Sequence, residues 1–217
     1  DMGPGALLGA RRDIYKAVIN DLIAKKVKLL FHPTGADWAA GVEQLKALTN
    51  LRTLTYGVDY VFLPYSAGEE MAWAAFAADI HGFYKTDVYG KPLAELPMMA
   101  NIRSMRDVNL CVVQYGIFTW GEMFMRQWPA KYGVDMICMA LFSTLQAWYG
   151  TYVKGNLDLD LGFAEYQSLT KNPGEHILRM EARNVNSTMI IALVLIGTVV
   201  YWISRPAKRE ARTTLGV

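Results

Sequence analysis

The feature that most constrains this chain is an uncharged stretch near its C-terminal end, Thr188 to Ser204, which reads TMIIALVLIGTVVYWIS. At 1.5 Å per residue, about 17 residues form roughly 25 Å of helix, close to the thickness of the hydrocarbon core of a bilayer. Tyr201 and Trp202 stand at one end, where amphipathic rings settle at headgroup level. The basic residues Arg205, Lys208, Arg209 and Arg212 follow. A buried core helix is the less common explanation of such a run, so the sequence predicts a single-pass membrane protein in contact with the lipid bilayer.

The residues before and within this span suggest how it is used. Asn172-Pro173-Gly174-Glu175 has the cap, the proline and the acidic residue typical of a helix start, which predicts one helix from about Pro173 to Ser204. Small residues in a span allow close approach of a neighbouring helix. We therefore expect the following residues to contact lipid or other membrane protein subunits: Ala192, Gly197, Tyr201, Trp202 and Arg205.

The distribution of basic residues bears on orientation. The basic tail favours a cytoplasmic C-terminus and an extracytoplasmic domain, although Lys171, Arg179 and Arg183 lie on the other side of the span. The chain begins with Asp1, and initiator Met is rarely removed before so large a residue, so we expect a signal peptide or a first span upstream. If a span directly precedes them, six further basic residues argue for the opposite orientation: Arg11, Arg12, Lys16, Lys25, Lys26 and Lys28.

Composition limits the remaining possibilities. With 217 residues the chain has room for one domain of ordinary size besides the span. The formal net charge is only +2, and no basic face or RNA-binding motif accompanies it, so nucleic acid is not an expected partner. Cys111 and Cys138 give neither a disulfide framework nor a zinc pattern and are expected to be buried core residues. No metal or cofactor is predicted.

Four apolar runs separated by helical stretches predict the fold. Each run is continuous rather than alternating, which is typical of parallel strands covered on both faces. The predicted strands are Val27–Phe31, Tyr60–Tyr65, Val108–Val113 and Met136–Phe142. The sequence therefore predicts a three-layer α/β sandwich with Rossmann-like or flavodoxin-like winding and about four parallel strands. We divide the chain into an irregular segment 1–10, an α/β domain 11–172, a juxtamembrane and transmembrane helix 173–204 and a basic tail 205–217.

Helical spacing of apolar residues places helices between these strands. Asp13 and Asp37 are plausible N-caps. The predicted helices are Asp13–Lys25, one after Asp37 with the stripe Trp38, Val42, Leu45 and Leu48, Met71–Phe83, Trp120–Trp128, Leu145–Val153 and Phe163–Leu169. The connection from Thr86 to Asp107 is expected to be a loop with a short helix near Met98–Met105, and Gly155-Asn156 is expected to be a loop.

A short motif occurs twice. Tyr56-Gly57-Val58-Asp59 and Tyr132-Gly133-Val134-Asp135 each precede an apolar strand, and each glycine can adopt the left-handed conformation that ends a helix. With Tyr84 to Gly90, which contains Asp87, and with Leu96-Pro97-Met98-Met99 and Gly162-Phe163-Ala164-Glu165-Tyr166, the first copy resembles the landmarks of an uncharacterised group of membrane-anchored bacterial and archaeal α/β proteins.

This resemblance covers roughly residues 27–204. It implies an N-terminal membrane segment before the domain and no known activity. The chain departs from the group at residues 156–161, Asn-Leu-Asp-Leu-Asp-Leu, where such proteins tend to have a glycine-rich run.

Candidate site residues follow from the predicted sheet, because ligands bind outside the carboxyl ends of parallel strands. These ends carry Gln114 and Gly116, together with the weak ligand-binding candidates His32, Thr34, Asp37, Ser66, Glu69, Glu70, Ser143 and Thr144. His32 is either a general base or a structural residue, and Glu69 and Glu70 are either ligands or ordinary helix-start acids. GxGxxG, GxxxxGK[ST] and GxSxG are absent from the sequence. No catalytic residue is assigned.

Two functions from different classes remain open. The first is a non-enzymatic accessory or scaffold subunit that uses its helix to join a larger membrane protein complex and its domain to contact neighbours. The second is a ligand-binding or hydrolytic α/β domain with a pocket at the strand ends. The absence of a catalytic signature and the presence of many aromatic residues favour the first.

Overall fold

The computed structural model describes residues 10–36, 38–115, 118–140, 153–158 and 175–204. These residues form a mixed helix and strand structure with two small parallel sheets and one apolar C-terminal helix. The helices are α1 (Ala10–Ala24), α2 (Trp38–Leu48), α3 (Glu69–Ala78), α4 (Ile80–Phe83), α5 (Phe118–Gln127), α6 (Pro129–Tyr132) and α7 (Glu175–Ser204). The strands are β1 (Leu29–Phe31), β2 (Tyr60–Phe62), β3 (Leu110–Tyr115), β4 (Asp135–Ala140) and β5 (Val153–Asp158).

The described strands form two small parallel sheets, and the single sheet that the sequence predicted is not confirmed. β1 and β2 pair in parallel with Leu30 opposite Val61, and β3, β4 and β5 form a second parallel sheet in that order. Within the part of the chain that the structure describes, β1 makes no ladder with β3. A three-layer Rossmann-like arrangement is therefore not established, whereas the parallel pairing within each sheet agrees with the prediction.

Strand β5 was missed by the sequence analysis. Its sequence, VKGNLD, contains glycine, asparagine and aspartate, which are depleted in strands, so Gly155-Asn156 was read as a loop. The segment forms a strand because it pairs with β4 from Met136 to Ala140, with an irregularity between Met136 and Ile137. Backbone pairing at the side of an existing strand overrides the weak local preference.

Helix α1 begins three residues earlier than predicted. It starts at Ala10, so Asp13 lies inside the helix and the N-cap assignment is wrong. The most deeply buried side chains of its described part are Ile14, Tyr15 and Ile19. Tyr15 and Ile19 are four positions apart and so lie on one face of the helix.

The long helix predicted over Met71–Phe83 is broken at Asp79. The Asp79 backbone is extended, with φ −152°, and its side chain accepts a hydrogen bond from the Gly82 backbone N–H at 2.8 Å, which caps α4. The Ile80 N–H donates to the Arg103 carbonyl at 2.7 Å instead of continuing α3. A side chain that bonds its own backbone competes with the helix in this way.

Other local predictions are confirmed. Helix α2 buries Trp38, Val42 and Leu45. The motif glycines Gly57 and Gly133 both have positive φ, 81° and 72°, and Gly133 ends α6. These outcomes follow from helical periodicity and from backbone freedom, which are both local properties.

The connection from Thr86 to Asp107 contains three short 3-10 turns instead of one helix over Met98–Met105. These turns are Leu93–Glu95, Pro97–Asn101 and Met105–Asp107. Pro97 opens the second turn, and the Ser104 side chain caps the third by accepting from the Arg106 N–H. The cap at Ser104 thus interrupts the predicted helix.

Two hydrophobic clusters cover the sheets. The first includes Val61, and the second includes Phe62, so successive residues of β2 point into different clusters and both faces of this strand are covered. Cys111 and Cys138 belong to the first cluster, which confirms that both are buried. The domain division itself stays a prediction.

Helix α7 is one continuous helix of 30 residues. The sequence predicted such a helix from about Pro173, and the structure describes it from Glu175. Its segment Val185–Ile203 is long and apolar enough to cross a membrane, and none of that segment is buried within the described structure. Its orientation stays a prediction.

Several predictions lie outside the described residues: the cap at Asp37, the helix over residues 163–169, the tail 205–217 and the helix over 145–152, whose last predicted residue, Val153, begins β5.

Candidate functional site

A cavity of about 210 Å³ lies between β1 and β3. The lining includes residues of helix α1. It also includes three aromatic side chains, Phe76, Phe124 and Trp128. The lining is mostly apolar because it combines inward residues of both core clusters. The cavity therefore lies between two strands, β1 and β3, that make no backbone ladder with each other among the described residues.

Besides the exposed Lys28, four polar side chains interrupt this apolar lining: Tyr15, His32, Thr34 and Gln114. His32 and Thr34 follow β1, Gln114 is the penultimate residue of β3, and Tyr15 comes from α1. The Tyr15 hydroxyl donates a hydrogen bond to Gln114 Oε1, which ties α1 to β3 at the cavity wall. Three of these residues were singled out in the sequence as strand-end residues, and the structure brings them to one cavity.

His32 is held in an aromatic environment. Its ring centroid lies 4.3 Å from that of Phe76 and 5.8 Å from that of Trp128, with an edge-on angle of 89° to the latter. Its Nε2 lies 3.4 Å from the Tyr84 hydroxyl. Desolvation by burial lowers the pKa of His32 to about 3, so the imidazole is neutral near pH 7.

Two polar atoms of the lining have no hydrogen-bond partner among the described residues. They are His32 Nδ1 and Thr34 Oγ1, and both atoms are buried. Burial of a polar group without a partner is costly, and such groups normally pair with protein, ordered water or a ligand. The cavity therefore contains unused hydrogen-bonding capacity from two neighbouring side chains of one loop.

Cys111 also lines the cavity, but it is not suited to nucleophilic chemistry. Burial raises the pKa of its thiol to about 12, which keeps the thiol protonated at neutral pH. The thiolate is the reactive form of cysteine. Among the described residues, no group of three His, Cys, Asp or Glu side chains is placed to hold a metal ion.

The other described candidates do not line the cavity. Glu70 forms a two-point ion pair with Arg126, with N–O distances of 3.1 and 3.0 Å, and also accepts from Gln127 at 2.8 Å. The hydrogen bonds from Arg126 and Gln127 lower the pKa of Glu70. Glu69 is exposed, and Ser66 Oγ donates only to the adjacent Ala67 carbonyl at 3.4 Å. Glu70 therefore joins α3 to α5.

The remaining candidates are in α7 or outside the described residues. Asp37, Ser143, Thr144 and Arg205 fall outside them. The other four, Ala192, Gly197, Tyr201 and Trp202, lie on the exposed apolar part of α7.

Ala192 and Gly197 do not form a common contact surface on α7. They are five residues apart, about 140° around the helix, so they lie on different faces. The neighbouring Thr198 hydroxyl donates to the Val194 carbonyl at 2.8 Å, which satisfies it within the helix.

Three lining residues were not predicted from the sequence: Tyr15, Phe76 and Trp128. Phe76 lies on α3 and Trp128 immediately follows α5, and neither carries a local signal of a cavity. For Tyr15 the signal was present, because its four-residue spacing from Ile19 marks a buried helix face.

Compared with known proteins, the chain matches no protein-family model, no curated protein and no solved structure.

Proposed function

We propose that this chain is a membrane-anchored accessory or scaffold subunit of a larger membrane protein complex, without enzymatic activity of its own. The observation that carries the proposal is the segment Val185–Ile203 of α7, which is apolar and unburied along its whole length. Such a surface needs lipid or another apolar helix around it. Other membrane protein subunits are the expected neighbours.

The continuity of α7 supports a role beyond a loose tether. The helix runs without interruption from Glu175 into the apolar segment, so its first turns and the span form one rigid element. A partner that contacts both would be held at a defined geometry. A flexible linker at the membrane surface would leave that geometry undefined.

The chemistry of the cavity also supports a non-enzymatic role. Its histidine is neutral and its cysteine is protonated, because burial shifts the pKa of each away from the reactive range. Glu70, at the start of α3, was a candidate ligand-binding carboxylate, and it forms an ion pair with Arg126. Binding and contact functions require none of these groups to titrate near pH 7.

We also propose that the two sheets are halves of one doubly wound layer in the order β2-β1-β3-β4-β5. Residues of β1 and β3 line the same cavity, and Leu30 packs against the first cluster, which contains Cys111 and Cys138. A Leu30→Cys/Val113→Cys double variant tests this arrangement, because both positions pack in the first cluster and so lie on the same face of the proposed layer. Formation of the cross-strand disulfide under mild oxidation supports adjacency, and its absence in folded protein argues against it.

For orientation, we propose that the basic tail is cytoplasmic and the domain extracytoplasmic. The support is the group of basic residues that follows the span in the sequence, beginning with Arg205. Protease treatment of sealed vesicles with a C-terminal epitope decides the matter. Protection of the epitope in right-side-out vesicles is expected, and its removal there would reverse the orientation.

The accessory role is tested by isolating the full chain from its native membrane in a mild detergent. We expect it to elute with other membrane proteins at a fixed stoichiometry. A matched variant, in which Val185–Ile203 is replaced by leucines, keeps a hydrophobic helix but removes its specific surface. It should stay in the membrane and lose the partners. A chain that always elutes alone contradicts the proposal.

A further inference from the structure

The cavity between β1 and β3 has a composition that defines what it can hold. Among the described residues that line it, Lys28 alone is charged, and Lys28 is exposed. The interior surface is therefore neutral, and an ionised ligand would lose its hydration without gaining an opposite charge.

The loop after β1 carries two of the polar side chains that line the cavity, His32 and Thr34. His32 Nδ1 and Thr34 Oγ1 are both buried and both lack a hydrogen-bond partner among the described residues. His32 and Thr34 are two positions apart in the chain, so one small polar group on a ligand can address both side chains. The surrounding aromatic rings of Phe76 and Trp128 offer apolar contacts to the rest of such a molecule.

The tautomer of His32 decides which hydrogen-bonding group fits. If Nε2 accepts from the Tyr84 hydroxyl, Nδ1 carries the proton and donates, and in the opposite tautomer Nδ1 accepts. The Thr34 hydroxyl both donates and accepts. A ligand hydroxyl also does both, so it satisfies the loop in either tautomer, whereas a purely accepting or donating group satisfies one.

We propose that this cavity is a binding site for a neutral, mostly apolar small molecule that carries a hydroxyl group, bound through His32 and Thr34 and packed against Phe76 and Trp128. The site is independent of the partners of the membrane helix. It adds a ligand-binding function to the domain without requiring a reaction.

The probe for this test is 4-fluorophenol, followed by ¹⁹F NMR line broadening on the full chain in lipid nanodiscs. Fluorobenzene, which lacks the hydroxyl, is the matched ligand, and empty nanodiscs give the background from partition into lipid. We expect saturable broadening by 4-fluorophenol that an excess of p-cresol reverses. Fluorobenzene should bind at least about tenfold more weakly, as loss of a buried hydrogen bond implies.

Two threonine variants separate the site from general effects. Thr34→Val removes the unpartnered hydroxyl and should weaken 4-fluorophenol binding by about tenfold. Thr49→Val is the control, because Thr49 is also a buried threonine but its hydroxyl bonds the Leu45 carbonyl at 2.8 Å and lies outside the cavity lining. It should leave the affinity unchanged.

The remaining test uses a variant whose larger side chain fills the cavity. It does not depend on correct folding of Thr34→Val. Val112→Phe places a larger side chain at the cavity wall on β3 and should abolish saturable binding while the urea unfolding transition remains cooperative. The proposal is overturned if folded wild-type protein shows no saturable binding. It is equally overturned if fluorobenzene binds as well as 4-fluorophenol, or if Val112→Phe binds as the wild type does.

Discussion

The Tyr56 hydroxyl donates a hydrogen bond to Asp87 Oδ2 over 2.6 Å, and Asp87 is only 2% exposed. The other carboxylate oxygen accepts from the backbone N–H groups of Tyr89 and Lys91 at 2.9 and 2.8 Å. Two stretches that are distant in the sequence, Tyr56–Val61 and Tyr84–Gly90, are therefore joined by a direct contact.

Asp87→Asn should destabilise the domain because the amide presents a donor where Asp87 now accepts from three groups. We expect a loss of about 1–3 kcal/mol in the free energy of unfolding, measured by urea titration of the full chain. Asp135→Asn is the control, since Asp135 is exposed and its nearest cation, Lys154, is 3.9 Å away. Equal effects of the two substitutions would show that the buried contact contributes nothing specific.

The two motif glycines should differ in their tolerance of alanine. Both have positive φ, so alanine costs about 1–2 kcal/mol of backbone strain at either position. At Gly57 a Cβ would also lie 3.1 Å from Leu96 Cδ2, whereas at Gly133 it would meet nothing within 4 Å. Gly57→Ala should therefore lower the urea midpoint more than Gly133→Ala. The reverse order would mean that the contact with Leu96 relaxes without cost.

His32 should make stability depend on pH. Its pKa is about 3 in the folded chain, against 6.5 as the ordinary value, so the unfolded chain takes up the proton first as the pH falls. The contribution is complete above about pH 6.5 and is lost toward pH 3, with a slope of at most about 1.4 kcal/mol per pH unit.

The measurement for His32 is the difference in unfolding free energy between wild type and His32→Phe from pH 7 to pH 4.5. The variant keeps an aromatic ring beside Phe76 but cannot ionise, so the titration of other groups cancels in the difference. We expect the wild type to lose stability relative to the variant as the pH falls. A difference that stays constant with pH would contradict the burial of a neutral imidazole.

Glu70 and Glu69 form a matched pair at the start of α3. Glu70→Gln removes the ion pair with Arg126 and should cost less than about 1 kcal/mol at pH 7, because the pair is partly exposed to solvent. Glu69→Gln removes the same charge from an exposed side chain and should have a smaller effect.

The pH dependence of the Glu70 effect follows from the direction of its shift. The pKa of Glu70 is lowered in the folded chain, so its contribution is present above its ordinary pKa of 4.5 and is lost as the pH falls through the folded value. The difference between wild type and Glu70→Gln should therefore shrink on acidification. Neither glutamate variant should alter 4-fluorophenol binding, and weakened binding in Glu70→Gln alone would place Glu70 in the site.

Local patterns predicted much of the fold. The stripe of Trp38, Val42 and Leu45 follows from helical periodicity, and the glycine turns follow from backbone freedom. The break at Asp79 was missed because it depends on one side chain bonding the backbone three residues ahead.

The candidate site was predictable only in part. His32, Thr34 and Gln114 were identified because strand ends are common binding positions, whereas the cavity depends on how β1 and β3 pack. The contact between Tyr15 and Gln114 joins residues 99 positions apart, and a single sequence gives no sign of such a pairing. Glu70 was ambiguous because its partner, Arg126, is 56 positions away.

The membrane-subunit proposal is tested most directly by photo-cross-linking from four consecutive positions of α7 in native membranes: Leu193, Val194, Leu195 and Ile196. Successive positions differ by about 100°, so the four sample the whole circumference of the helix. We predict one discrete protein adduct, formed from one face and absent from the opposite face. Lipid adducts alone, with equal yield from all four positions, would contradict the proposal and leave α7 as a simple anchor.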